Sequence, residues 1–157
     1  MQTCIVPVIS FNYAARNIDR CKKTLLMAIG FGEVLMAVGT LCFLTIPAQM
    51  LGVFTKDAVV IEIGRIGFHF VGVSFLPMVT SLIFPVFFQA IGSSVKSSAL
   101  TIIRTVILFV PLGFLFSRLG LNWFWLTFPV TETVTTLVGL CFYRQFLRRP
   151  YRSSSAE

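Results

Sequence analysis

"IGFHFVGVSFLPMVTSLIFPVFFQAIGSSV", Ile66 to Val95, runs for thirty residues with His69 as its only ionisable group. About 20 apolar residues suffice for a helix to cross the roughly 30 Å hydrocarbon core of a bilayer. The stretch is therefore read as a membrane-spanning helix, and the chain on either side repeats the pattern. Upstream, Thr24 to Thr55 carries one charge, Glu33. Downstream, after "SSVKSS", Ala99 to Ser117 holds Arg104 near its start, and after "RLGLN", Trp123 to Tyr143 holds Glu132. Four spanning helices are expected.

Composition agrees. A 157-residue chain with 56% hydrophobic and 12% charged residues, seventeen Phe and mean hydropathy +0.88 departs from a water-soluble domain, which carries about 25% charged residues. A core of this size could not bury so much apolar side chain, so the solvent is lipid. The net charge of +7 does not indicate a nucleic-acid partner, because the basic residues sit between apolar blocks instead of interleaving with polar groups on one face. Cys4, Cys21, Cys42 and Cys141 lack metal-ligand spacing. No Ser/His/Asp set or phosphate loop is present, and one His leaves little acid–base machinery, so neither an enzyme nor a cofactor is expected.

With four spans the connecting segments alternate sides. Phe11 to Lys23, "FNYAARNIDRCKK", has Arg16, Arg20, Lys22 and Lys23; Lys96 and Arg104 follow on the same side, as do Arg144, Arg148, Arg149 and Arg152; the other side has Lys56, Arg65 and Arg118. Ten against three places the basic side and the C-terminus in the cytoplasm of a multi-pass protein of the cell's inner or plasma membrane. The first dozen residues, "MQTCIVPVISFN", are too short to cross and read as the end of a preceding helix, with an interfacial segment as the alternative.

Pro77, Pro85, Pro111 and Pro129 fall inside the spans, where kinks are expected and neighbours must satisfy the freed backbone groups. Ala28 and Gly32 form a small-xxx-small pair suited to close helix approach. Glu33 lies about 14 Å past Thr24 and Glu132 about 16 Å past Leu121 at 1.5 Å per residue, both near the midplane. A lipid-facing carboxylate there costs roughly 2.5 kcal/mol or more. Each must therefore face a partner or a wet cavity, or be protonated. Two readings stay open: ion or substrate handling, or a structural role, for Glu132 with Thr131, Thr133, Thr135 or Thr136. His69 is read as a residue of the outer edge ahead of a proton relay, and Arg104 as snorkelling to the inner headgroups. Trp123, Phe124 and Trp125 read as an aromatic belt.

The ordered segments resemble one family. "QTCIVPVISFNYAARNIDRCKK" is similar to the Q-x-x-x-P-x-x-S-x-N-Y-G-A-x-x-x-x-R segment of the multidrug and toxic compound extrusion (MATE) family, matched by Gln2, Pro7, Asn12, Tyr13, Ala15 and Arg20. "LFVPLGFLFSRLGLNWFWLTFPVTE" resembles its late I-P-L…G-L-x-G-V-W-x-A-x-P-x-x-E segment at Pro111, Leu112, Gly120, Leu121, Trp125, Pro129 and Glu132. "FFQAIG", with Gln89, Ala90 and Gly92, and then Arg104 also fit. The chain departs from the pattern at Ala14, where Gly is usual, and the second span lacks the carboxylate that some members carry there.

The resemblance implies an all-α membrane fold: four spanning helices and the end of a preceding one, part of a transporter of twelve helices in two lobes. Residues 1–147 would be a partial C-terminal lobe and residues 148–157 a basic, Ser-rich cytoplasmic tail. The implied function is efflux of small, amphipathic, cationic substrates, coupled to sodium ion or proton, with the remaining helices as partner. The alternatives are a lipid-linked sugar or polysaccharide flippase of the same superfamily, or a small scaffold acting by helix association. No coupling site carries over, because the acidic coupling residues of other lobes and helices lie outside this sequence.

Overall fold

The computed structural model describes residues 2–148, with the backbone alone for residues 2 and 3. All of its regular elements are helical: α1 (Gln2–Ala14), α2 (Ile18–Thr45), α3 (Pro47–Gly52), α4 (Ala58–Ala90), α5 (Ser94–Ile102), a π-helix (Ile103–Phe109), α6 (Val110–Leu119), α7 (Leu121–Phe124) and α8 (Thr127–Arg148). Four continuous runs are long and apolar enough to cross a membrane: α2, α4, α5 through α6, and α7 through α8. The tail, apart from Arg148, lies outside the described residues.

Capping explains why the first two spans are longer than their apolar runs. The Asn17 side chain accepts a hydrogen bond from the Arg20 amide at 3.2 Å, so α2 starts at Ile18. Arg20, Lys22 and Lys23 are thus helical residues, and the expected polar loop from Phe11 to Lys23 narrows to Ala15–Asn17, with Arg16 at φ 58°. Asp57 accepts from the Val59 amide at 2.9 Å and starts α4 eight residues before Ile66, bringing Glu62 and Arg65 into the helix. Gly120, at φ 118°, occupies backbone that other residues avoid and turns the chain between α6 and α7.

The prolines divide by position. Pro129 is the third residue of α8, where its missing N–H was unpaired in any case, so the expected kink in the last span does not arise there. Pro77 and Pro85 lie inside a continuous α4. Pro111 has no N–H for the Ile107 carbonyl, and its ring crowds that group. Directly upstream, seven residues take the wider π winding, and the Val110 N–H bonds Thr105 O.

α4 is the central helix. It packs against α2 on one side and α8 on the other, with α1, α3 and α5 also against it. At the end that carries the α1–α2 and α4–α5 turns, Phe84, Phe87 and Phe88 form the core with Ile9, Leu25 and Leu100. Ile5 and Ile9 are buried there, so α1 is a packed helix and not an interfacial segment. Between helices in lipid there is little hydrophobic drive, and close contact with a few hydrogen bonds holds them instead. A Cβ on Gly32 would lie 2.6 Å from Val79 Cγ1, and one on Gly139 would collide with the Phe84 ring. Hydroxyls add to this: Thr40 Oγ1 donates to Gly72 O at 2.9 Å and Thr136 Oγ1 to Pro77 O at 2.8 Å. The opposite face of α2 exposes Met27, Phe31, Val34 and Val38, as a lipid-facing or helix-facing surface would.

Candidate functional site

Two polar residues in the apolar run of α4, Thr80 and Ser81, sit about 14 Å from its Ala90 end at 1.5 Å per residue. Neighbours on a helix point about 100° apart, so the two face different helices. Thr80 Oγ1 donates to Glu33 Oε1 on α2 at 3.2 Å. Ser81 Oγ donates to Glu132 Oε2 on α8 and also lies 3.0 Å from Met78 O. One helix thus meets both midplane carboxylates.

The two carboxylates differ in their charge partners. Glu132 is 5% exposed and pairs with Arg104, whose Nη2 lies 2.6 Å from Oε1 and whose Nε lies 3.1 Å from Oε1 and 3.2 Å from Oε2. Arg104 is the second residue of the π-helix, ten residues past Ser94. At about 15 Å from the start of its span it reaches the level of Ser81. The expectation that Arg104 snorkels to headgroups is therefore corrected: its guanidinium turns inward and makes a forked, charge-assisted contact to a buried carboxylate. Glu33 is partly buried, and no cationic side chain pairs with it among the described residues.

None of the four threonines expected beside Glu132 bonds to it. Thr133 and Thr135 donate back along α8 to Pro129 O and Thr131 O, Thr136 donates to Pro77 O, and the buried Thr131 hydroxyl has no partner. Against α4, the π-helix and α8 lies a cavity of about 380 Å³, lined by Val71, Ser74, Phe75, Met78, Arg104, Thr105, Phe109, Phe128 and Glu132.

The remaining candidates do not converge on this site. His69 Nδ1 is 2.7 Å from Arg65 O and lines a separate groove with Glu62 and Arg65 toward the Ala58 end of α4. Pro7 lies inside α1, Asn12 Nδ2 donates to Val8 O at 2.7 Å, Tyr13 packs on Phe146, and Arg20 is exposed in the first turn of α2. Gln89 lines a polar groove with Ser94 and Ser97. The Gln2 side chain lies outside the described residues. Trp123 is exposed as a belt residue would be, but Trp125 packs on Gly67 and stacks on Phe128 with its Nε1 buried and unpartnered.

A bundle of four membrane-length helices with titratable side chains meeting inside it defines a polytopic membrane protein. The MatE family model matches residues 1–115, and the chain belongs to that family. It is similar over 93% of its length to the inward-facing structure of a multidrug resistance MATE family transporter of the MOP superfamily, at 22% identity and TM-score 0.85. The outward-facing structure of such a transporter gives 23% identity and TM-score 0.85. A MOP superfamily transporter from Pyrococcus furiosus, described as having a binding pocket of reverse polarity that suggests a different function, gives 22% and 0.85. The fold is that of the MATE transporters. The chain spans about a third of the length of these structures, covering 34% of each. No curated protein sequence matches it.

Proposed function

We propose that residues 1–147 are the C-terminal part of the second lobe of a secondary active efflux antiporter, followed by a cytoplasmic tail at residues 148–157. It exchanges small, amphipathic, cationic compounds for sodium ions or protons across the cell membrane, together with the remaining helices of the transporter. The basic ends of the spans lie in the cytoplasm. The observation that supports this reading is Glu33, a carboxylate at membrane depth whose partner is the neutral Thr80 hydroxyl. A carboxylate so placed calls for compensation whenever it ionises, and a coupling cation, a proton or the positive group of the cargo provides it. Glu132 already has Arg104, which moves the candidate coupling role from Glu132 to Glu33.

The test is transport by the completed transporter in proteoliposomes, with a sodium gradient at fixed pH and a pH gradient without sodium as separate drives. Glu33→Gln is expected to lower coupled dye efflux about tenfold or more, the scale of one lost charge interaction. Wild-type efflux at equal reconstitution would refute the assignment. A second reading, export of lipid-linked anionic cargo, is favoured by the Arg104 guanidinium on the cavity wall. Translocation of a lipid-linked pyrophosphate sugar without dye efflux would select it.

A further inference from the structure

The cavity beside the Arg104–Glu132 pair is, we propose, a binding site for a compact apolar molecule bearing a single carboxylate. The inference does not rest on the coupling role of Glu33, which does not line this space. About 380 Å³ is within the range that holds small molecules. Phe109 and Phe128 meet edge to face at 5.4 Å on its wall, with Phe75 and Met78 completing an apolar surround.

Its polarity is decided by which atoms of the pair remain available. Both Glu132 oxygens are already engaged, Oε1 by Nε and Nη2 of Arg104 and Oε2 by Nε and Ser81 Oγ. Arg104 Nη1 has no hydrogen-bond partner among the described residues. A guanidinium offers five donors in a fixed fork, and Arg104 lines the cavity with donors left over from Glu132 beside aromatic walls. A carboxylate accepts from them without displacing Glu132, and the guanidinium held between the two anions offsets their repulsion. An ammonium would have to take Glu132 from Arg104 and leave the guanidinium uncompensated.

The purified chain in nanodiscs of zwitterionic lipid is titrated with 4-tert-butylbenzoate, 4-tert-butylbenzylammonium and 4-tert-butyltoluene, with empty nanodiscs as reference. The reporter is fluorescence of Trp125, which stacks on Phe128, in a Trp123→Phe background. The benzoate is expected to bind about tenfold or more tightly than the other two, the scale of one charge-assisted hydrogen bond. In Arg104→Lys, which keeps the charge for Glu132 but removes the fork, this preference should largely disappear. Val71→Phe should weaken all three ligands with helicity unchanged by circular dichroism. Equal binding of benzoate and toluene, tighter binding of the ammonium, an unchanged preference in Arg104→Lys or unchanged binding in Val71→Phe would each overturn the proposal.

Discussion

Replacing Arg104 by Met tests whether the charged pair is an integral part of the bundle or a surface decoration. Glu132 side-chain exposure is 7% against 27% for Arg104, so the two ends of the pair are unequal. Arg104→Met leaves a buried carboxylate with Ser81 as its remaining partner, and removing one member of a buried pair costs about 3–5 kcal/mol. Glu132→Met leaves a guanidinium on a cavity wall that can turn toward water, for which about 1 kcal/mol is expected, the scale of one hydrogen bond. Replacing both by Met removes the uncompensated charge and should return stability to within about 1 kcal/mol of the wild type, as apolar substitutes for buried pairs do. The cycle thus predicts a coupling energy of about 3 kcal/mol, far above the roughly 0.6 kcal/mol average of interhelical hydrogen bonds in membranes. Reversible unfolding of the chain in mixed micelles by increasing sodium dodecyl sulfate, followed by circular dichroism, measures it. Additive single effects, or a loss below about 0.6 kcal/mol in Arg104→Met, would refute the reasoning.

The other predictions concern packing, topology and completeness. Gly32→Val, with its added Cβ 2.6 Å from Val79 Cγ1, should lose about 1–3 kcal/mol by overpacking in the same unfolding assay, whereas Gly30→Ala, with nothing within 4 Å, should be neutral or stabilising by under about 1 kcal/mol. Cys21 is fully buried and its Sγ lies 3.6 Å from Ile9 O, so impermeant thiol reagents should label it slowly from either side. Single cysteines at exposed Ala15 and Lys56 should label from the cytoplasmic side and from outside respectively, and the reverse pattern would invert the proposed orientation. The chain alone, spanning a third of its structural neighbours, should give liposomes no gradient-driven dye efflux. Efflux without the remaining helices would replace the partial-lobe reading with a small oligomeric transporter.

The spans were legible because bilayer thickness imposes a length on any apolar run, and Glu33, Glu132 and Arg104 stood out because a charge in such a run is costly wherever it points. Their partners were not legible from local sequence. Glu132 has four threonines within four residues, yet the threonines at i+1, i+3 and i+4 use their hydroxyls on carbonyls of α8 or α4. The carboxylate instead reaches 28 residues back to Arg104 and 51 back to Ser81. The Thr80–Ser81 dipeptide was a signal that could have been read: two hydroxyls side by side at midplane depth on the central helix must face two neighbours, and two carboxylates at matching depth need donors. Arg104 was misread for a geometric reason. Depth alone permits snorkelling, but the direction of the side chain depends on helix phase, and the π winding before Pro111 changes that phase in a way that a regular 3.6-residue period does not anticipate. Pro111 is visible in the sequence; whether the strain upstream of a proline resolves as a bend or as a widened turn is set by what the helix meets. Here the widened turn begins within one residue of the arginine that meets Glu132. Restoring a regular helix would rotate Arg104 relative to the residues beyond Phe109, by about 100° per residue of register. A Pro111→Ala variant that straightened this segment would therefore separate the pair as effectively as Arg104→Met, and its stability loss should be largely non-additive with that substitution.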